Sequence, residues 1–173
     1  IGAGMIGKMV LRRLADYNLN LFVYDPFLSE EAAKELNAKK VSLTELFACC
    51  QTISNHVANL PETVGMLNAD CFKRMKKNAT FINTGRGAQV VEADLIDALK
   101  QNPDMTAVLD VTYPEPPEEN SEFYRLPNVF LTPHIAGSAG QEVARMGEYM
   151  LDQFNKMQQN KICEFEVTLK MLE

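Results

Sequence analysis

No apolar run in the chain approaches the roughly 18 residues that a membrane-spanning helix needs, and the opening residues do not follow a signal-peptide pattern. A soluble, cytoplasmic protein with no membrane contact is expected. Cations are in the minority: 17 Lys and Arg against 23 Asp and Glu give a net charge of -6. That balance leaves no basic footprint for nucleic acid. Cys49, Cys50, Cys71 and Cys163 lack the paired C-x-x-C spacing of a zinc site and are too few for a disulfide scaffold. Reduced, mostly buried thiols and no metal are expected. Internal repeats, low-complexity tracts and Gly/Ser linkers are also missing, so the 173 residues read as one domain.

What is there is an alternation of short β-branched runs with longer amphipathic stretches. Strands are expected at Leu21 to Tyr24, near Lys40 to Val41, and at Thr52 to Asn55, Thr80 to Ile82, Thr106 to Asp110 and Val129 to Leu131. Helices are expected at Met5 to Tyr17, Ser29 to Leu36, Ser42 to Cys50, Asn68 to Met75 and Glu92 to Gln101, with Ser29, Ser42 and Asn68 as N-caps. Only Ser42, with Glu45 three residues on, completes a capping box. A last long helix, about Gly140 to Gln159, sets Val143, Met146, Met150 and Phe154 on one face. This order predicts the α/β class, a Rossmann-type doubly wound parallel sheet, with ligands gathering beyond the carboxyl ends of the strands.

The chain opens with Ile1-Gly2-Ala3-Gly4-Met5-Ile6-Gly7, a G-x-G-x-x-G where a strand gives way to a helix. Gly2 suits the tight turn, Gly4 a close approach to a pyrophosphate and Gly7 close helix-sheet packing, with the amides near Met5 and Ile6 at the positive helix end. Gly2, Gly7 and Lys8 also satisfy most of G-x-x-x-x-G-K. Met9 breaks that alternative, because a thioether is no ligand for magnesium. Asp25, closing the second strand, can accept hydrogen bonds from an adenosine ribose and would repel a 2′-phosphate, so NAD is expected over NADP.

Three further segments carry a resemblance: Phe81-Ile82-Asn83-Thr84-Gly85-Arg86-Gly87, Asp110-Val111-Thr112-Tyr113-Pro114-Glu115-Pro116, and Asn128 through Gly137 with Thr132-Pro133-His134 at its centre. In this order they closely resemble the D-2-hydroxyacid dehydrogenase family, over Ile1 to about Gly140. The resemblance implies a catalytic trio of Arg86, Glu115 and His134. It also implies cofactor contacts at Val57, Thr63, Thr84, Gly85, Arg86, Asp110, His134, Ala136 and Gly137, beside the glycine loop and Asp25. The chemistry suits those residue types. An imidazole with an ordinary pKa of about 6.5 can donate and accept a proton near neutrality. A carboxylate on its other nitrogen orients it and favours the imidazolium. A guanidinium matches a substrate carboxylate, and Gly85 and Gly87 beside it are expected to leave room for a ligand. Ala58 departs from the family, which usually has proline there, and so leaves the local rigidity to other contacts.

The resemblance implies hydride transfer between NAD(H) and a D-2-hydroxy or 2-oxo acid. It also implies a substrate domain drawn mainly from sequence preceding the glycine motif. The expected organisation is therefore an NAD-binding domain over residues 1–173, with a C-terminal helix (about 140–173) packing toward a substrate domain missing from this chain. Such a chain is expected to be inactive alone and to belong to a homodimer when full length. Two other classes answer to parts of the pattern. One is an NAD(H)-sensing corepressor, which can keep the trio. The other is an S-adenosylmethionine methyltransferase, which shares a glycine loop and an acidic residue but has no use for Arg86, Glu115 and His134. The particular acid is not encoded in these residues.

Overall fold

The computed structural model describes residues 1–164 and 166–169. Among them, helices and strands follow in the order α1 (Met5–Leu14), β1 (Leu21–Val23), α2 (Glu30–Glu35), β2 (Ala38–Lys40), α3 (Leu43–Cys49), β3 (Thr52–Asn55), α4 (Ala69–Phe72), β4 (Thr80–Asn83), α5 (Glu92–Gln101), β5 (Thr106–Leu109), β6 (Val129–Leu131) and α6 (Gln141–Gln158). Ser29, Ser42 and Asn68 cap α2, α3 and α4 by accepting from backbone N–H groups. Only the serine half of the expected capping box forms at Ser42, and Glu45 lies 3.7 Å from Lys39 Nζ. No described helix is long and apolar enough to cross a membrane.

α1 ends at Leu14 rather than Tyr17, whose N–H donates to the carbonyl three residues back, and two further boundaries shift for local reasons. β2 begins at Ala38, earlier than the expected Lys40, because Asn37 takes a left-handed conformation (φ 53°) that stops α2 and turns directly into the strand. α4 ends at Phe72 rather than Met75. Beyond it Arg74 and Met75 donate to the carbonyls three residues back, a tighter winding than the α-helix.

Every strand pairing is parallel. β1 pairs with β2, and β3-β4-β5-β6 form a four-stranded sheet in that order. Where one continuous sheet was expected, a single stretch of backbone joins two: Gly2 N donates to Tyr24 O at 2.8 Å, and His56 N donates to Ile1 O at 2.9 Å. Ile1 and Gly2 thus hold the place of a central strand between β1 and β3. Strand order reverses across them, and a doubly wound sheet opens its ligand crevice at such a reversal.

The core sits under the four-stranded sheet. Phe47 of α3, Phe72 of α4 and Phe81 of β4 form a ring cluster with centroids 5.3 to 6.3 Å apart. Each such pair adds about 0.5–1.5 kcal/mol beyond the area it buries. Leu95 and Leu99 of α5 and Met105 complete the same cluster. A smaller one, with Leu11, Val23 and Ala33, joins α1 and α2 to β1.

Two compact units divide the chain at residue 134. The first holds all six strands. The second contains α6, which ends at Gln158 rather than running on to 173; residues 165 and 170–173 of the expected helical span lie outside the described residues. Asn160 in the left-handed region (φ 53°) donates to Met157 O, and Lys161 N donates to Lys156 O, which closes α6 in a Schellman motif. Its apolar face stays open: Val143 is 57% exposed, Met146 54%, Met150 62% and Phe154 52%. Uncovered apolar surface of that kind drives association. In sedimentation velocity the chain is expected to grow heavier with concentration, and Met146→Glu with Met150→Glu to return it to monomer; a parent monomeric at every concentration would contradict this.

Candidate active site

The glycine loop is built by close backbone approach. Gly2 has φ 81°, and a Cβ there would lie 2.9 Å from the His56 carbonyl and Val57 N; one on Gly7 would lie 1.9 Å from Gly2 O. α1 starts at Gly4 with no side-chain cap and no acidic residue in its first turn, which leaves its leading N–H groups to an outside anion. Met5 and Ile6 line a cleft of about 710 Å³. Val57, Ala58 and Thr63 and the Thr84-Gly85-Arg86 segment also line it. Asp25 closes its far end. Asp25 Oδ2 accepts from Ala3 N at 2.7 Å, and Oδ1 from Phe27 N at 2.8 Å and Leu28 N at 3.1 Å. A carboxylate offers about four acceptor sites, so one remains for a ribose hydroxyl. The glycine cradle, the open helix end and Asp25 fit a dinucleotide, whose nicotinamide would supply the hydride.

Beneath the cleft lies a group of three primary amides that sequence reasoning missed. Asn55 ends β3, Asn83 ends β4, and Gln89 belongs to the 3-10 turn Gly87–Gln89; all three are fully or almost fully buried. Asn55 Nδ2 donates to Asn83 Oδ1 (3.0 Å) and to Gln89 Oε1 (2.5 Å). This explains Gly85 differently from the expected ligand space, since a Cβ there would lie 2.9 Å from Asn55 Nδ2 and 3.0 Å from Gln89 Oε1. Gly87 is likewise a packing glycine, for its Cβ would fall 2.0 Å from the Thr112 backbone.

Thr63 Oγ1 accepts from Leu60 N at 3.0 Å, and its single O–H is shared between the Ala58 and Leu60 carbonyls, each 2.9 Å away. It therefore closes the start of its own 3-10 turn and does not cap the turn that follows. His56 Nε2 meets Ser54 Oγ at 2.9 Å, and burial pushes this histidine below its ordinary pKa.

Glu115 and His134, far apart in the chain, meet: Nδ1 lies 2.5 Å from Oε1. An ionised carboxylate at Nδ1 fixes the proton there and leaves Nε2 for a substrate. Their side chains are 40% and 43% exposed. His134 adopts φ 53°, the left-handed region, at a cost of roughly 1–2 kcal/mol. Its N–H is held by Asp110 O and Thr132 O, each at 3.0 Å. Asp110 is itself buried, its Oδ1 accepting from Thr132 Oγ1 and its amide donating to Asn83 O. Asp110, expected among the cofactor contacts, is seen to anchor the histidine loop. On the Glu115 side, Glu92 accepts from Tyr113 N at 2.8 Å.

Arg86 follows β4, Glu115 β5 and His134 β6, so all three leave the carboxyl edge of adjacent parallel strands. The guanidinium does not touch the pair; Nη1 donates to Gly85 O at 2.7 Å. Two strand spacings, roughly 10 Å, separate β4 from β6. Ala136 and Gly137 fall in the second compact unit, where both are exposed. Among the described residues no three His, Cys, Asp or Glu gather into a metal site.

Residues 1–136 match the model of the D-isomer specific 2-hydroxyacid dehydrogenase NAD-binding domain. The chain belongs to that family. Among its relatives is D-3-phosphoglycerate dehydrogenase of Archaeoglobus fulgidus, 33% identical over the whole chain, which spans 33% of that protein's length. D-Lactate dehydrogenase of Lactobacillus jensenii, solved with NAD+, superposes with a TM-score of 0.82 at 26% identity, over 96% of this chain and 54% of its own. For apo D-mandelate dehydrogenase of Rhodotorula graminis the TM-score is 0.85 at 28% identity, over 96% and 49%. The curated relative is thus about three times as long as the chain.

Two expectations follow for this NAD-binding domain. Asp25→Ser with Pro26→Arg should reverse NAD-over-NADP preference in binding titrations, with some loss of stability because Ala3, Phe27 and Leu28 lose their acceptor; a parent that already prefers NADP would contradict the ribose assignment. Burial raises the Glu92 carboxyl above its ordinary 4.5, and the Tyr113 amide partly offsets this. Stability from a raised carboxyl is complete below its ordinary value and is lost as pH climbs through the folded one. Glu92→Gln keeps an acceptor without the charge, so its thermal midpoint should gain on the parent's as pH rises from 4.5 toward neutrality. A constant offset would place the shift elsewhere.

Proposed function

We propose that the chain is the cofactor-holding part of a dehydrogenase that interconverts a D-2-hydroxy acid and its 2-oxo acid. The observation that carries this reading is the 2.5 Å contact between His134 Nδ1 and Glu115. An imidazole with its Nδ1 proton committed to a carboxylate presents Nε2 as acid or base to a substrate oxygen. In reduction, His134 gives a proton to the carbonyl oxygen as hydride reaches the carbon; in oxidation it takes the hydroxyl proton back. Glu115 steadies the imidazolium and the ring's orientation. Arg86 is the cation for the substrate carboxylate or carbonyl. To serve, its guanidinium must turn from Gly85 O toward the ligand, and a long, single-residue side chain can do so at low cost.

The proposal extends to the whole protein. α6, with its open face of Val143, Met146, Met150 and Phe154, is the segment we assign to packing on a substrate domain. A homodimer in the cytoplasm is the assembly we assign to the full-length enzyme. The relatives' names, D-3-phosphoglycerate, D-lactate and D-mandelate dehydrogenase, support the substrate class and leave its member open.

Oxidation of NADH driven by a panel of 2-oxo acids tests the reading on the full-length enzyme. His134→Gln should lower turnover by about 100-fold or more with NADH affinity unchanged, since general acid catalysis is of that size. Glu115→Gln should move the pH profile of reduction toward lower pH, because the imidazolium loses its carboxylate. Near-normal turnover with Gln at 134, or an unmoved profile with Gln at 115, would remove the corresponding role. NADH binding with no turnover on any acid would favour a cofactor sensor.

A further inference from the structure

We propose that Gln89 is a positioning residue of the cofactor site, a buried clamp that holds the two loops forming one wall of the cleft. The inference rests on the dinucleotide reading above and goes beyond it, for Gln89 touches no ligand. The two Nε2 hydrogens go to Val57 O (2.8 Å) and Ala58 O (2.9 Å), in the loop after β3. Oε1 accepts from Asn55 Nδ2 (2.5 Å) and from Arg86 N (3.3 Å), in the loop after β4. Both donors and both acceptor positions of the amide are thus in use. Asn83 completes the clamp, taking Gly85 N on Oδ1 at 3.1 Å and giving Nδ2 to Arg86 O at 3.1 Å. Asn55 Oδ1 accepts from Val57 N at 3.3 Å.

A core-filling role would not require this residue type. An apolar side chain of similar length fills the same space, but strands the Val57 carbonyl and the Arg86 amide and leaves Ala58 O with Thr63 Oγ1 alone. Ala58 has no ring to fix its backbone, so the loop after β3 depends on the hydrogen bonds that Gln89 and Thr63 give it. Deleting Gln89 leaves the backbone carbonyl of Val57 and the backbone amide of Arg86 without the partners they have, at the edge of the cofactor cleft.

The test is NADH fluorescence titration of the full chain, parent against Gln89→Leu, at a temperature where circular dichroism shows both folded. The variant's Kd should rise by about tenfold or more, the scale of lost buried hydrogen bonds. In the active enzyme the loss should fall on KM for NADH, with kcat at saturating NADH and the pH profile set by His134 unchanged. A folded variant that binds as tightly as the parent overturns the proposal. Hydrogen exchange on the unmodified, cofactor-free chain decides independently of whether the variant folds. The Arg86 amide, whose acceptor is Gln89 Oε1, should exchange at least about tenfold more slowly than an unstructured amide; exchange at the unprotected rate overturns the clamp. Failure of the parent to bind NADH would instead overturn the dinucleotide reading, and the exchange result would still decide whether Gln89 holds the loops.

Discussion

Parallel strands must abandon their ladder at the carboxyl edge, and there each departing loop exposes backbone N–H and C=O groups that burial does not forgive. Between β3 and β4 that problem is met by side chains. Asn55 and Asn83, directly opposite in register, turn their amides toward each other, and Gln89 reaches across to the carbonyls of the diverging loop. Gly85 is glycine because the amides occupy the space where its Cβ would stand. Gly87 is glycine because the turn that carries Gln89 must lie against Thr112. The cleft wall and the neighbouring loop that leads to Glu115 therefore share one set of constraints.

The proton pair is organised in the opposite way. Glu115 and His134 are about half exposed, and an exposed ion pair contributes little stability, with a median of about 0–1 kcal/mol. The fold nonetheless holds His134 in a left-handed conformation and anchors its amide to Asp110 O and Thr132 O. Strain without a matching gain in stability, at the end of a strand and beside a carboxylate, is the pattern of a residue placed for chemistry. Glu92 has a plainer role: a half-buried carboxylate that burial makes costly to ionise, it accepts the backbone N–H of Tyr113.

Legibility in the sequence tracked how local the cause was. The glycine loop, the order of strands and the N-caps Ser29, Ser42 and Asn68 depend on nearest neighbours in the chain, and the sequence-based reading matched them to the structure. Glu115 and His134 could be paired only through the family resemblance, because nothing within either segment announces a partner 19 residues away. The amide group was invisible: Asn at a strand end reads as a turn former, and Gln89 has no local signature at all. How a backbone of two residues, Ile1 and Gly2, joins the sheets, through the carbonyl of Tyr24 and the amide of His56, is a long-range pairing that only the structure shows. Glycine beside arginine suggests room for a ligand at Gly85 and Gly87; packing fills both Cβ positions with protein, while Gly85 still lines the cleft.

Exposure also bears on what surrounds the site during reaction. A carbonyl that accepts hydride must be sheltered from water, both to strengthen the electrostatics around it and to keep the proton from bulk exchange. The cleft that receives the cofactor meets this need on its inner wall, where the side-chain amides of Asn55, Asn83 and Gln89 are buried and paired. Glu115 and His134 do not meet it, with 40% and 43% of their side-chain surfaces open. Shelter for that side must come from groups that close over it, and a relative about three times the length of this chain has the polypeptide to supply them. On the proposed reading, the exposed half becomes a reaction centre only when substrate and the groups around it exclude the solvent.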